Sequence, residues 1–261
     1  MKIMRLLALS FVTVVLLTSS ATVSFGAAGS PIAATGWNHD VVVENTAGIP
    51  YSSAAASFDV PNNYAFYQAG LAGSTRGLPL NRIFSSLIDG TVFQFQPYTA
   101  NNVLQLSASN SSSTGTLSLS TPGLYSSISI LAAAANSGAS QGNLVIHFAD
   151  ASVSPVLQFN NSDWFFQPNP AIMGFGRISL SGTGAEDNGN SYPELYQTTL
   201  NLAALGLSGK AITSIVFTDL STDVRESTGI FALSGIAVPE PGTAALMALG
   251  VVALIVRQRR R

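Results

Sequence analysis

Apolar and polar residues alternate in short segments along most of the chain. The clearest segment is 143–148, where leucine, isoleucine and phenylalanine fall on one face and valine and histidine on the other. A period of two, interrupted by Gly, Ser, Asn and Pro, is typical of β-strands joined by turns. The pattern predicts strands at 39–44, 91–96, 102–106, 115–120, 124–131, 143–148, 155–159, 174–180, 196–202, 211–218 and 229–234.

Helical periodicity is nearly absent between the two ends of the chain, and only 80–87 and 203–207 are predicted as helical turns. Many short strands with this turn punctuation favour an all-β fold, an antiparallel β-sandwich. We place the sandwich at residues 29–237. It lies between an N-terminal signal helix within 1–28 and a C-terminal transmembrane helix within 238–261.

The C-terminal segment has its own composition. Pro239, Glu240 and Pro241 precede Gly242–Val256, a stretch of 15 residues without a charge. As a helix this stretch is roughly 22 Å long, which is short against a hydrocarbon core of about 30 Å. Snorkelling arginines and local thinning compensate for the difference, and the positive-inside rule keeps the arginine end in the cytoplasm. That end carries Arg257, Arg259, Arg260 and Arg261.

This arrangement of a Pro-Glu-Pro signature, one hydrophobic helix and a terminal arginine cluster resembles the PEP-CTERM sorting signal. The resemblance implies an exported bacterial protein that is processed by an exosortase, a membrane-embedded cysteine transpeptidase. It assigns Pro239, Glu240, Pro241 and the four terminal arginines to sorting and processing. An ordinary C-terminal anchor is the alternative interpretation of the same residues.

The N-terminus also indicates export. Lys2 and Arg5 precede the apolar stretch Leu6–Leu17, and small and polar residues follow. This order is typical of a secretory signal peptide, which implies signal peptidase as a partner. The candidate cleavage positions follow Ala21, Gly26 and Ala28. We therefore expect a precursor anchored in the inner membrane of a Gram-negative-type bacterium, and then a protein of the cell surface or extracellular matrix.

Removing both signals changes the charge of the protein. The whole chain has a formal net charge of −2, but six of its 11 cations lie in the two terminal segments. The exported body keeps five cations against 12 acids, a net charge of −7. Such a surface argues against nucleic acid and anionic lipid as partners. The chain has no cysteine, so its core must be stable without disulfides.

The second half of the body resembles the galactose-binding-like, jelly-roll modules of exported bacterial proteins and glycosidases. The resemblance rests on a strand ending in Phe148-Ala149-Asp150, the Asp163-Trp164 pair and the strand Lys210–Ile215. It implies a jelly-roll sandwich, and more about fold than about activity. The chain departs from the pattern at Ala151, where glycine is usual, and at His147, where an aromatic residue is usual.

Catalytic motifs are absent from the sequence. His39 and His147 are its only histidines, and neither belongs to a nucleophile or metal motif. We therefore predict a noncatalytic protein. The acids at 219–226 are interpreted as a surface charge cluster, although a glycan-active enzyme with a site built from scattered carboxylates is the alternative function.

Two candidate binding features remain. Glu186, Asp187 and Asn188 form an oxygen-rich loop that suits Ca²⁺, with a solvated turn as the simpler interpretation. Tyr192 and Trp164 are candidate stacking rings for a sugar, although the resemblance makes Trp164 a core anchor. The sequence thus predicts an exosortase-sorted envelope or matrix protein with extracellular polysaccharide as its candidate ligand.

Overall fold

The computed structural model describes residues 28–74, 76–107, 112–138, 140–165, 167–182 and 192–239. Within these ranges the chain is all-β, with three single-turn 3-10 helices and no α-helix. The strands are β1 (Ser30–Ile32), β2 (Ala34–Thr35), β3 (Val42–Val43), β4 (Tyr64–Tyr67), β5 (Ile83–Ser85), β6 (Val92–Gln94), β7 (Leu104–Ser107), β8 (Thr114–Gly123), β9 (Tyr125–Ala135), β10 (Gln141–Phe148), β11 (Leu157–Asn160), β12 (Arg177–Ser179), β13 (Tyr196–Asn201), β14 (Ile212–Thr218) and β15 (Ser227–Ala237). The 3-10 helices are Tyr51–Ser53, Val60–Asn62 and Leu71–Gly73.

The prediction of an all-β fold is confirmed, and every strand predicted from the alternation overlaps an observed one. The predicted helical turn at 80–87 is wrong, because Ile83–Ser85 pairs with β6 as a strand. Phe84 then packs on Phe95, with ring centroids 4.8 Å apart. Segment 203–207 is a hydrogen-bonded turn in which the Leu205 N–H donates to the Asn201 carbonyl.

Two five-stranded antiparallel sheets form the larger part of the fold. In the first sheet the order is β1-β15-β9-β13, and β7 pairs with β15 as well. In the second sheet the order is β11-β10-β14-β8-β2. Alternate side chains of both sheets meet in one core, which explains the period of two in the sequence. This core includes Ile128, Ile130, Leu144, Ile146, Ile215, Phe217 and Leu233.

A third layer covers the other face of the first sheet. It consists of the three-stranded sheet β12-β4-β3 and the hairpin β5-β6. The first sheet is therefore buried on both faces, and Leu131 and Ala133 of β9 belong to a second core with Phe66 of β4. Small alanine side chains in β9 allow both neighbouring layers to pack closely against this strand. A sandwich of two sheets alone does not account for this layer.

Strand β15 runs along the sandwich from one end to the other. Its 11 residues span roughly 33 Å at about 3.3 Å per residue. Its first residue, Ser227, pairs with Ala135, and its last residue, Ala237, pairs with Tyr125. We call the end at Ser227 the far end and the end at Ala237 the tail end, because the C-terminal segment leaves there.

The turn after β10, at the tail end, adopts an unusual backbone conformation. Ala151 has φ of 64° in the left-handed region, where an L side chain is strained. The turn is fixed by hydrogen bonds from the Ala151 N–H to the Phe148 carbonyl, and from the Phe148 N–H to the Ser152 carbonyl. This position is the one at which the jelly-roll pattern usually has glycine.

We expect Ala151→Gly to raise the free energy of unfolding by roughly 0.5–1 kcal/mol, because glycine adopts positive φ without the steric cost of Cβ. Urea unfolding of the purified chain would measure the change. Ala203→Gly is the matched control, since Ala203 is exposed in a turn and its φ is not positive. That variant should lose stability, and a loss of stability in both variants would contradict the prediction.

Candidate functional site

A polar cleft lies at the far end of the sandwich. It has a volume of about 360 Å³ and is formed by the start of β10, the end of β11 and the loop between β14 and β15. Most of its lining groups are hydroxyls, amides and carboxyls. They belong to Ser140, Gln141, Asn161, Asp219, Leu220, Ser221, Thr222, Asp223 and Glu226.

Asp219 is a buried carboxyl at the base of this loop, with 5% of its surface exposed. It accepts a hydrogen bond from the Ser221 N–H at 3.1 Å and another from the Thr228 hydroxyl. Thr228 in turn accepts a bond from the Asn161 amide at 2.9 Å. Burial raises the pKa of Asp219 above its usual range. The carboxyl thus belongs to a network that joins β15 to the end of β11.

Glu226 is the second buried carboxyl of the cleft, with 6% of its surface exposed. Its side chain bonds to Ser221 and Ser137. Burial is the main reason that the pKa of Glu226 is raised, and the nearby charge of Asp219 raises it further. The ionised form of Glu226 is therefore less favourable in the folded protein than in water.

Asp223 is the third acid of the cleft, and Arg225 is its cationic partner. The Arg225 side chain donates to both of its oxygens, from Nε at 3.1 Å and from a terminal nitrogen at 2.7 Å. These hydrogen bonds lower the pKa of Asp223 to about 2. Across the part of the chain that the structure describes, no three His, Asp or Glu side chains are grouped as a metal site would require.

The structure places the two predicted stacking rings away from this cleft. Trp164 is 1% exposed and packs edge-on against Phe58 and Phe66, with ring centroids 5.1 and 5.2 Å away. It is a core anchor and offers no face to a ligand from solvent. Tyr192 is half-buried, and the Arg76 guanidinium carbon lies 4.0 Å from its ring centroid.

Other predicted site residues lie outside the described ranges. These are the candidate calcium ligands Glu186, Asp187 and Asn188, and also Glu240, Pro241, Arg257, Arg259, Arg260 and Arg261. Both predicted hydrophobic helices lie outside those ranges as well. Where the chain is described, none of its helices has the length and apolar character needed to cross a membrane.

The sheet ends where the C-terminal segment begins. Strand β15 continues to Ala237, and the Val238 N–H donates to the Leu124 carbonyl at 2.9 Å. Pro239 follows in an exposed position, and a proline has no N–H with which to extend the ladder. Only Val238 therefore separates the end of β15 from the Pro-Glu-Pro signature.

The interpretation of the acids at 219–226 as a surface charge cluster is wrong for Asp219 and Glu226, which are buried in the cleft, and the sequence did not indicate the other wall of the cleft. Asp219, Asp223 and Glu226 are close in sequence, so their grouping was visible. Ser140 and Asn161 reach the same cleft through the pairing of β10 with β14 and β11. No local motif indicates that long-range pairing.

We expect Glu226→Gln to raise the midpoint of thermal unfolding at pH 7. The folded-state pKa of Glu226 lies above its usual 4.5, so its ionised form destabilises the fold. The wild type should therefore lose stability as the pH rises from about 4.5 through the folded-state pKa, and the variant should lose less.

Asp223→Asn is the matched control for this measurement. The pKa of Asp223 is lowered, so its ionised form does not oppose folding and the substitution should not raise the midpoint at pH 7. Equal pH profiles for wild type and Glu226→Gln would contradict the prediction.

Comparison with known proteins adds one match. The profile of the PEP-CTERM protein-sorting motif matches residues 237–261. No curated protein matches the chain. The motif indicates a protein that is exported and is anchored in the membrane before processing, and it implies that an exosortase carries out the processing.

Proposed function

We propose that this protein is a noncatalytic component of the cell envelope or extracellular matrix and that its far-end cleft binds carbohydrate. The sorting motif at 237–261 supports the envelope assignment. One observation carries the binding role, namely a concave polar site at the end of the sandwich opposite the membrane tail. The resemblance of the second half to jelly-roll carbohydrate-binding modules agrees with this role.

The chemistry of the cleft suits a sugar. Gln141 and Thr222 are exposed at its surface and supply an amide and a hydroxyl, which can donate to and accept from sugar hydroxyls. Leu220 is 50% exposed beside them and offers apolar surface to the C–H face of a sugar ring. A ligand in this cleft would lie roughly 33 Å along β15 from the anchored tail. That separation supports the approach of an extracellular polymer to the far end.

A glycan-active enzyme is the second candidate function. The raised pKa values of Asp219 and Glu226 favour it, because a general acid for glycoside cleavage must hold its proton near neutral pH. The hydrogen bonds within the loop favour the binding role instead. Asp219 is held by Ser221 and Thr228, so its carboxyl already serves a structural network.

We expect Gln141→Ala and Thr222→Ala each to weaken the affinity for an immobilised extracellular polysaccharide by about two- to tenfold. The reason is that each removes an exposed hydrogen-bonding group of the cleft, and such a neutral hydrogen bond contributes about 0.5–1.5 kcal/mol. Affinity electrophoresis of the purified chain, with and without Ca²⁺, would measure the effect. Asp150→Asn changes an exposed polar side chain at the tail end and should bind like the wild type.

Three outcomes separate the functions. Retention without new reducing ends supports a binding protein, whereas release of reducing ends that Glu226→Gln abolishes supports the enzyme. Failure of every tested polysaccharide to bind, in either Ca²⁺ condition, would leave a structural role in the envelope.

Replacing Pro239, Glu240 and Pro241 by alanine should block maturation in a host that has an exosortase. The precursor should then remain in the membrane fraction at its unprocessed mass, as measured by immunoblotting and mass spectrometry. The matched control replaces Val238 by alanine, which keeps both the signature and the N–H that bonds to Leu124. Equal maturation of the triple variant and the wild type would show that the segment is only an anchor.

A further inference from the structure

Arg177 lies among aromatic rings at the rim of the second core. It is the first residue of the edge strand β12 and pairs with Phe66 of β4. Its guanidinium carbon is 4.0 Å from the ring centroid of Tyr64, 4.8 Å from that of Phe165 and 5.9 Å from that of Trp164. These distances are within the range of cation–π interactions.

The hydrogen-bond donors of this guanidinium are unused by the described residues. Its Nε is buried and has no hydrogen-bond partner, and neither terminal nitrogen bonds to a described residue. Two other cations of the body do have acidic partners, since Arg225 pairs with Asp223 and Lys210 with Asp150. A half-buried cation without an anion is costly, because rings replace only part of its lost hydration.

We propose that Arg177 binds the carboxylate of an acidic sugar residue, a uronate of an extracellular polysaccharide. A guanidinium offers a planar fork of N–H groups that fits a carboxylate in a bidentate pair. Tyr64 and Phe165 are only partly buried beside it, so their rings can contact the C–H face of the same sugar. One cation and two rings thus match the anionic group and the apolar face of one uronate.

This site is distinct from the acidic cleft and does not depend on its proposed function. Carboxylates at 219–226 would repel a uronate, whereas Arg177 would attract it. The Arg177 site belongs to the far half of the molecule, because the Trp164 N–H donates to the Ala134 carbonyl next to the start of β15. Both sites therefore lie away from the tail end.

The full chain, purified in mild detergent, can be titrated with trigalacturonate while tryptophan fluorescence is recorded. Trp164 is 5.9 Å from the Arg177 guanidinium and should report binding. The chain has two tryptophans, so Trp37→Phe isolates the signal of Trp164. We expect saturable binding of trigalacturonate and none of galactotriose, which has hydroxymethyl groups in place of carboxylates.

Arg177→Gln should weaken trigalacturonate binding by about tenfold or more, and Arg177→Lys should weaken it less, because lysine keeps the charge but loses the bidentate fork. Arg225→Gln removes one positive charge from the same end of the molecule and should bind like the wild type. Thermal unfolding of each variant shows whether its fold is intact. If Arg177→Gln does not fold, the binding test rests on Arg177→Lys alone.

Three results would overturn the proposal. Unchanged trigalacturonate binding in both folded Arg177 variants would place the ligand elsewhere. If acetate bound with the same affinity as trigalacturonate, the ligand of Arg177 would be any carboxylate and not an acidic sugar. A loss of stability in the variants, with no uronate-dependent signal in the wild type, would make Arg177 purely structural.

Discussion

The burial of the first sheet on both faces is the constraint on which the rest of the structure depends. Strands β9 and β15 pair along almost their whole length, and one core lies on each side of them. Most side chains that point to either face are apolar or small, and buried polar ones such as Gln105 and Thr228 make hydrogen bonds, because an unpaired polar group there would be costly. Polar groups that face solvent consequently lie at the ends of the strands, at the edges of the layers and on the outer face of the second sheet. The acidic cleft and Arg177 lie in such positions.

The same central strand fixes the orientation of these sites relative to the membrane tail. Strand β15 begins beside the acidic cleft and ends one residue before the Pro-Glu-Pro signature. Because a paired strand is stiff and Val238 is tied to Leu124, little free chain separates the body from the tail. The tail end is therefore the end of the folded body next to the C-terminal segment, and the far end is the end away from it. Any ligand of the far end can bind before or after the tail is removed.

The alternation of apolar and polar residues predicted the strands of the second sheet well, because one face of that sheet is apolar and the other is polar. The alternation missed strand β4, which is buried on both of its sides. The sequence Tyr64–Tyr67 has no alternation, since Phe66 packs toward the first sheet and Ala65 and Tyr67 pack outward in a third cluster. The strand at 83–85 was missed because its pairing with 92–94 is a tertiary effect. The sequence indicated only the acids of the cleft, because its other wall depends on long-range pairing. Asn161, for example, bonds to Thr228 across 67 positions of sequence.

Charge explains why the two proposed sites can coexist on one surface. The exported body carries seven more acids than cations, so its long-range field disfavours anionic polymers. At physiological ionic strength this field decays over about 8 Å, and a contact at one guanidinium is decided by local geometry. Neutral hydroxyls can bind at 219–226 without that penalty. An acidic polysaccharide would then be held at Arg177 and not at the carboxylates of 219–226, so its recognition depends on the N–H donors of one guanidinium that lies among three rings.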